Sequence, residues 1–480
     1  MTPLMALSGV MAGRRVGRSC AAFLWRVASP CLLFLLLVSF DLPARAQARP
    51  SMDNAQAAPT PVEFESGATT ATAEPAAKTS VVPAAEPTAE ELAEIERALA
   101  ADSATSDGES VHSAESSAPV LGPVGAALAN FNPDLSVILD VAAGWFSGEG
   151  EAISAGGHDP RKTGLTFQQL ELSIGKAVDP YFRFDANLVF SQFGVEVEEA
   201  FATTLALPLN LQVRAGQFLT RFGRINATHP HTWEFIDQNF AVTRLFGGEG
   251  NRGLGLELSW LAPLPWFAEL VFSVTDAAGE STARSFLGGG EFDIESPLDF
   301  QATAALKQFF ALTDALSLNV GLSATTGPNA TGNDNRSDLY GLDLYLRWRP
   351  VSGETLRWIS LQAEIFWRRR QVPGDLIQDL NAYAQIAWRL ADRWSVAARY
   401  EWGGAAFGIN GEVTHRDWLD SDWTRDRHRV SAAVTFHPSE FSRLRLQGAR
   451  DHAPSLAPSP VWSVFVAAEF FVGAHAAHPF

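Results

Sequence analysis

Beyond about residue 133 the chain alternates apolar and polar side chains with a period of two, and nothing there is apolar enough to cross a bilayer as a helix. Phe182, Phe184, Ala186, Leu188 and Phe190 interleave with Arg183, Asp185 and Asn187. Leu254, Leu256, Leu258 and Trp260 interleave with Gly255, Glu257 and Ser259. The same rhythm runs through Leu342–Arg349, Ile359–Ile365 and Trp394–Glu401. Successive side chains of a strand point to opposite faces, so each segment is greasy on one side and wettable on the other. A soluble sandwich would show that pattern too.

Number and spacing separate the two cases. About 16 such segments start near Leu135, Thr163, Tyr181, Val195, Leu209, Arg252, Phe267, Phe300, Leu316, Asp338, Leu356, Leu380, Trp394, Arg429, Arg443 and Val461. An even number suits a closed antiparallel barrel. Tight links follow the even-numbered segments, as at Ala177–Pro180, Leu207–Pro208, Ala262–Pro265, Pro350–Gly353, Ala391–Arg393 and Pro438–Glu440. Long polar links follow most odd-numbered ones: Ser147–Lys162, Gly223–Asn251, Asp276–Asp299, Thr325–Arg336, Arg369–Asp379 and Gly403–His428. A bilayer sorts turns and loops in this way, and a sandwich has no reason to. The expected fold is therefore all-β, a closed antiparallel transmembrane barrel over residues 132–480, with both termini on the short-turn, periplasmic side. Trp348, Trp367, Trp388, Trp394 and Trp402 sit near segment ends, as an interfacial girdle would have them.

The segment before the barrel differs. Residues 1–46 read as a signal peptide: Arg14, Arg15, Arg18 and Arg26 precede a short apolar core, Cys31–Phe40, and then Ala44-Arg45-Ala46. Both cysteines lie inside it, so the exported chain would form no disulfide. Residues 47–131 are rich in Ala, Pro, Thr, Ser and Glu and are expected to be a disordered periplasmic linker. A short helix is expected near 88–101, where Leu92, Ile95 and Leu99 share a face. It reads either as a trimerising element or as a marginal solvated helix. The net charge of −18 excludes a general nucleic-acid binder.

The wettable faces carry Arg183, Asp185, Arg214, Glu171, Glu257, Asp343, Arg347, Arg349, Glu364, Arg368, Arg389, Arg399, Glu401, Arg443 and Arg445. Charges cannot face hydrocarbon cheaply, so these are expected to line a wet lumen. Arginine outnumbers acid there, which would favour anions; arginine–carboxylate ladders along an unselective wall are the alternative. The link from Gly223 to Asn251 carries Trp233, Phe235, Ile236, Phe240, Val242, Leu245 and Phe246, too apolar to hang in water. It is expected to fold into the barrel as a constriction, with Glu234, Asp237, Arg244 and Glu249 as its polar edges, or else to cap the mouth. His229 and His231 open this link and His475 and His478 lie near the C-terminus, spacings that could supply imidazoles to a metal. No Gly-x-Ser-x-Gly, His-Glu-x-x-His or Cys/His arrangement appears, so neither an enzyme nor a cofactor is expected.

Asn132–Asp140, Val197–Phe201, His229–Phe235 and the terminus Gly473–Phe480 together resemble a family of porin-like outer-membrane proteins of Gram-negative bacteria. The resemblance spans roughly residues 131–480. It implies an outer-membrane channel passing small hydrophilic solutes, in contact with lipid; a homotrimer is a separate expectation. Some members carry labels of zinc regulation or TonB dependence, which would imply a metal- or substrate-specific transporter instead. The residues before Asn132 have neither the size nor the apolar content of the plug that a TonB-dependent receptor carries.

Overall fold

A computed structural model describes residues 133–473, apart from 151–152, 155, 193, 277–278, 280–281, 289–293, 295, 333, 351–356, 414–418 and 453–458. The expected signal peptide, linker and helix near 88–101, and His475 and His478, lie outside the described residues.

The first four strands are β1 (Asp134–Phe146), β2 (Gly164–Ala177), β3 (Phe182–Ser191) and β4 (Gly194–Thr204). The next four are β5 (Leu211–Leu219), β6 (Arg252–Leu261), β7 (Phe267–Thr275) and β8 (Gln301–Ala311). Then come β9 (Leu316–Pro328), β10 (Arg336–Trp348), β11 (Trp358–Val372) and β12 (Asp375–Ala391). The last are β13 (Trp394–Gly403), β14 (Arg427–Ser439), β15 (Ser442–His452) and β16 (Val461–Gly473). Each pairs antiparallel with its sequence neighbours, and β16 returns to pair with β1 from Ser136↔Gly473 to Phe146↔Ser463. The result is a closed barrel of sixteen strands with no unpaired edge.

The outer face is apolar. On β6, Leu254, Leu256, Leu258 and Trp260 are exposed while Glu257 and Ser259 are buried. Aromatic side chains form two outer bands. Trp145, Tyr340, Trp367 and Trp462 lie toward the long-loop end, and Trp260, Trp348, Trp388 and Trp394 toward the short-turn end. On β10 the bands, at Tyr340 and Trp348, are separated by about 26 Å of strand, or roughly 20 Å of height once the strand tilts. That matches the apolar belt of a barrel immersed in lipid.

Two connections differ from expectation. The stretch Arg369–Asp379 is no long loop: β11 and β12 run on to Val372↔Asp375, joined only by Pro373 and Gly374. Arg370, Val372 and Ile377 are buried, so the strands continue their alternation, and Gly374 supplies the positive φ of +77° that so tight a turn needs. The Thr325–Arg336 link likewise shrinks to residues 329–335 because β9 and β10 pair as far as Pro328↔Arg336.

Candidate functional site: an inward loop latched across the lumen

The β5–β6 connection is built from a pinched base. Thr220 N donates to Asn251 O at 2.9 Å, and Asn226 Nδ2 donates to both Thr220 O and Asn251 O. Gly223, at φ +63°, then turns the chain inward; a Cβ there would sit 2.3 Å from Glu364 Oε2. Beyond it lies the short helix α1 (Phe240–Phe246), capped by the Asn239 side chain accepting from Ala241 N. Every residue of α1 is buried. The apolar side chains that could not hang in water therefore have their partners. Val242, Leu245 and Phe246 pack with Leu339 of β10, Phe366 of β11 and Tyr383 of β12, together with Phe286 and Leu287 of the β7–β8 loop. Ile236 packs against Phe146 and Phe465, and Phe235 against Ala387, Ala397 and Ala433.

Polar latches hold the same loop on the far wall. Glu364 of β11 accepts from the backbone N–H of Arg224 and of Ile225, both at 2.9 Å. Glu401 of β13 accepts from Phe240 N at 2.7 Å. Asp237 lies between Arg399 of β13 (2.5 Å) and Arg429 of β14 (3.0 Å). Arg443 and Arg445 of β15 donate to the carbonyls of His231, Trp233 and Phe235. A bond from a charged group to a buried partner contributes about 1.5–3 kcal/mol, so several together make a fixed crossbar.

Toward the long-loop end, Arg244 Nη1 donates to Asn381 Oδ1 and to Gly404 O, with its guanidinium 3.7 Å from the Trp423 ring centroid. Asp420, in the β13–β14 loop, contacts Arg368 of β11 and pairs with Arg284 at 3.0 Å. Burial alone would raise Asp420, but Arg368, Arg284 and Arg244 hold its carboxyl well below the usual range. One carboxylate thus joins two long loops, the inward loop and the wall.

These contacts revise several expectations. Arg183, Asp185, Arg214, Glu257, Asp343, Arg347, Glu364, Arg368, Arg389, Arg399 and Glu401 do occupy the inward face, by strand parity and burial. Yet Glu364, Arg368, Arg399 and Glu401 are sealed beneath loops and anchor them, so they are not bare pore wall. Arg349 falls one residue past β10, exposed in the turn. Of the four expected constriction edges, Asp237 and Arg244 are consumed by latches. Glu249 is turned to His158, and both it and Glu234 are half-buried. Burial raises Glu234 against the opposing pull of Arg443, Arg445, Arg389 and Arg347. The physical reason is common to all: an inward loop creates new interior, and buried charges must be paired.

On the short-turn side of the crossbar the lumen opens into two cavities of about 610 and 300 Å³, both touching Arg221, Ala227 and Thr228. Their charges are largely paired: Arg214 and Arg221 with Glu257, Arg221 with Glu269, Lys307 with Asp343. This favours the arginine–carboxylate ladder over a cationic funnel.

His229 and His231 sit at the wall of the larger cavity with their rings stacked, centroids 5.7 Å apart. His229 Nδ1 lies 3.0 Å from Glu198 Oε2 and its Nε2 3.0 Å from Glu199 Oε2. His231 Nδ1 lies 2.9 Å from Glu171 Oε2. Strict alternation would send either Glu198 or Glu199 outward, but both are buried. The β3–β4 register jumps from Asn187↔Glu199 to Leu188↔Val197, leaving Glu198 as the extra residue of a β-bulge. The histidine spacing pointed to His229 and His231, and the two adjacent acids in an amphipathic strand were the sequence signal of their carboxylate partners.

A second clasp joins the β1–β2 loop to the inward loop, with His158 Nε2 3.6 Å from Glu249 Oε2. Burial alone would lower the imidazole, but Glu249 lifts its pKa to about 9. Because the folded value lies above the ordinary 6.5, the clasp contributes fully below pH 6.5 and is lost as pH rises through about 9. The β1–β2 loop should therefore gain protease sensitivity between pH 7 and 10. His158→Gln should be equally sensitive at pH 7 and show no further rise; a rise of the same size in that variant would refute the assignment.

No family model matches the chain. An uncharacterized protein of Aquifex aeolicus (strain VF5) is 29% identical over 390 residues, covering 73% of this chain and 80% of the relative. Among solved structures, the outer membrane channel DcaP of Acinetobacter baumannii aligns with a TM-score of 0.49 at 13% identity, over 71% of this chain and 97% of its own. An anion-selective porin from Comamonas acidovorans aligns at 0.46 and 11%, over 71% and 99%. Pseudomonas putida OprB aligns at 0.46 and 10%, over 74% and 97%.

Proposed function

We propose that this chain is an outer-membrane porin-type channel, passing small hydrophilic solutes passively through a lumen narrowed by the β5–β6 loop. The observation that carries the reading is a sixteen-stranded closed wall, apolar outside and charged inside, crossed at one level by a loop that leaves cavities beside it. A barrel of this strand number is wide enough for water, and a crossbar reduces its section without closing it. Because the lumenal arginines are mostly paired, we expect weak charge selectivity rather than strong anion preference. In this reading residues 1–46 direct export, residues 47–131 form a periplasmic linker, both termini are periplasmic and the assembly is a homotrimer. No catalytic step is part of it.

Purified protein in planar bilayers should give stable, voltage-independent steps, and its reversal potential in a tenfold salt gradient should stay close to zero. Silence from correctly inserted protein would sink the channel reading. A reversal potential near the ideal anion or cation limit would instead refute the paired-wall argument.

A further inference from the structure

We infer that Glu171, Glu198 and His229 Nδ1 form a binding site for a first-row transition-metal dication, with Zn2+ the type case, set into the barrel wall beside the larger cavity, with Glu199 holding the far ring nitrogen of His229 and His231 standing next to Glu171.

The donors come from three separate elements, β2, β4 and the inward loop, and converge without any local sequence reason to do so. Donor atoms of Glu171, Glu198 and His229 all lie within 4.8 Å of one another. Zinc bonds of about 2.0–2.2 Å to nitrogen and oxygen put ligand atoms about 3–3.6 Å apart, so a small closure suffices. Glu171 reaches both rings: Oε1 is 3.9 Å from His229 Nδ1 and Oε2 is 2.9 Å from His231 Nδ1. An imidazole beside carboxylates suits Zn2+ and its neighbours, whereas Ca2+ and Mg2+ favour all-oxygen shells.

Charge and backbone supply independent support. Three carboxylates meet two imidazoles in a buried corner, and such an excess of negative charge must be offset. A dication would offset it. The bulge at Glu198 is the second observation. It interrupts the ladder to turn one more carboxylate inward, at the point where the inward loop presents its histidines. Bulges are used in this way next to functional sites, to re-aim one side chain. Surrounding contacts fix the donors. Asn187 Nδ2 lies 3.2 Å from His229 Nε2, and Leu219 N donates to Glu199 Oε1 at 2.7 Å. The cavity gives an ion a way in, since Glu171, Glu199, His229 and His231 all line it.

The inference stands apart from conduction, and its test needs no open pore. Full-length protein in detergent, with His475→Ala and His478→Ala introduced to silence the terminal histidines, is dialysed against Zn2+ in excess Mg2+. We expect one Zn2+ retained per chain. Zinc-edge X-ray absorption on this otherwise unaltered site should show imidazole together with oxygen ligands. His229→Gln and Glu198→Gln should each weaken retention at least about tenfold, since ligand loss should exceed the usual cost of disturbing a supporting shell. Failure to retain zinc, a bound ion without imidazole scattering, or undiminished retention in folded His229→Gln would each overturn the site. The absorption measurement decides the matter even where a variant does not fold. Zinc binding by a protein silent in bilayers would reject the channel alone, and conductance without zinc binding would reject the site alone.

Discussion

Replacing Asp420 by alanine should lower the stability of the folded barrel by about 3–5 kcal/mol, the usual consequence of leaving buried charge without its partner. Asp420 is fully enclosed and faces the guanidiniums of Arg368, Arg284 and Arg244. Removing it leaves the buried guanidiniums of Arg368 and Arg244 to share Asp379 alone, beside the partly exposed Arg284. The β13–β14 loop, the β7–β8 loop and α1 lose their common anchor, so proteolysis of both loops should accelerate. Asp420→Asn keeps the volume and part of the hydrogen bonding, and should fall between alanine and the parent. Adding Arg368→Met to the alanine variant should recover part of the loss, because the two sites are coupled. Denaturant unfolding in detergent measures all four proteins. An alanine variant with the parental midpoint would mean that water reaches the cluster and that it is not an anchor.

Excising the crossbar should raise single-channel conductance several-fold while leaving the wall intact. The loop begins and ends at a pinched base, with Thr220 and Asn251 already hydrogen-bonded across it. Residues 221–250 can therefore be replaced by a two-residue Asn-Gly link that continues β5 into β6 as a hairpin. The deletion removes apolar packing against Leu339, Phe366 and Phe465 and the latches on Glu364, Glu401 and Arg399. Those groups then face water, which charged side chains tolerate and the few phenylalanines tolerate at modest cost. The protein should still insert and resist denaturation as a barrel. A milder version, Asp237→Ala, frees Arg399 and Arg429 and should add flickering openings above the parental level. Unchanged conductance after excision would place the narrow point elsewhere.

The wall was legible because lipid enforces a rule on every second residue. Leu254, Leu256 and Leu258 cannot be exchanged for charges without meeting hydrocarbon, so strand positions and facing appear in the sequence itself. The inward loop was legible for the opposite reason, since Phe235, Phe240 and Phe246 are intolerable outside. What the sequence did not carry was the destination of each inward charge. Glu364 and Arg399 lie on the expected face, but nothing near them in the chain says that their partners are Arg224, Ile225 and Asp237. Asp420 looked like one acid among several in a polar loop. A better clue was available in Leu339, Phe366 and Phe465, apolar residues on a face that should be wettable, which mark where something greasy must land. Likewise the neighbouring acids Glu198 and Glu199 break the alternation, and a broken alternation inside a membrane strand implies a bulge.

The latches of the β5–β6 loop also fix an order of events in time. That segment leaves the sheet after its fifth strand, yet its anchors reside on the eleventh, thirteenth, fourteenth and fifteenth. Until those strands are paired its docking surface does not exist, and its phenylalanines have no partner. The segment can settle only once β11 and β13–β15 stand opposite β5, so its docking is contingent on closure of most of the wall.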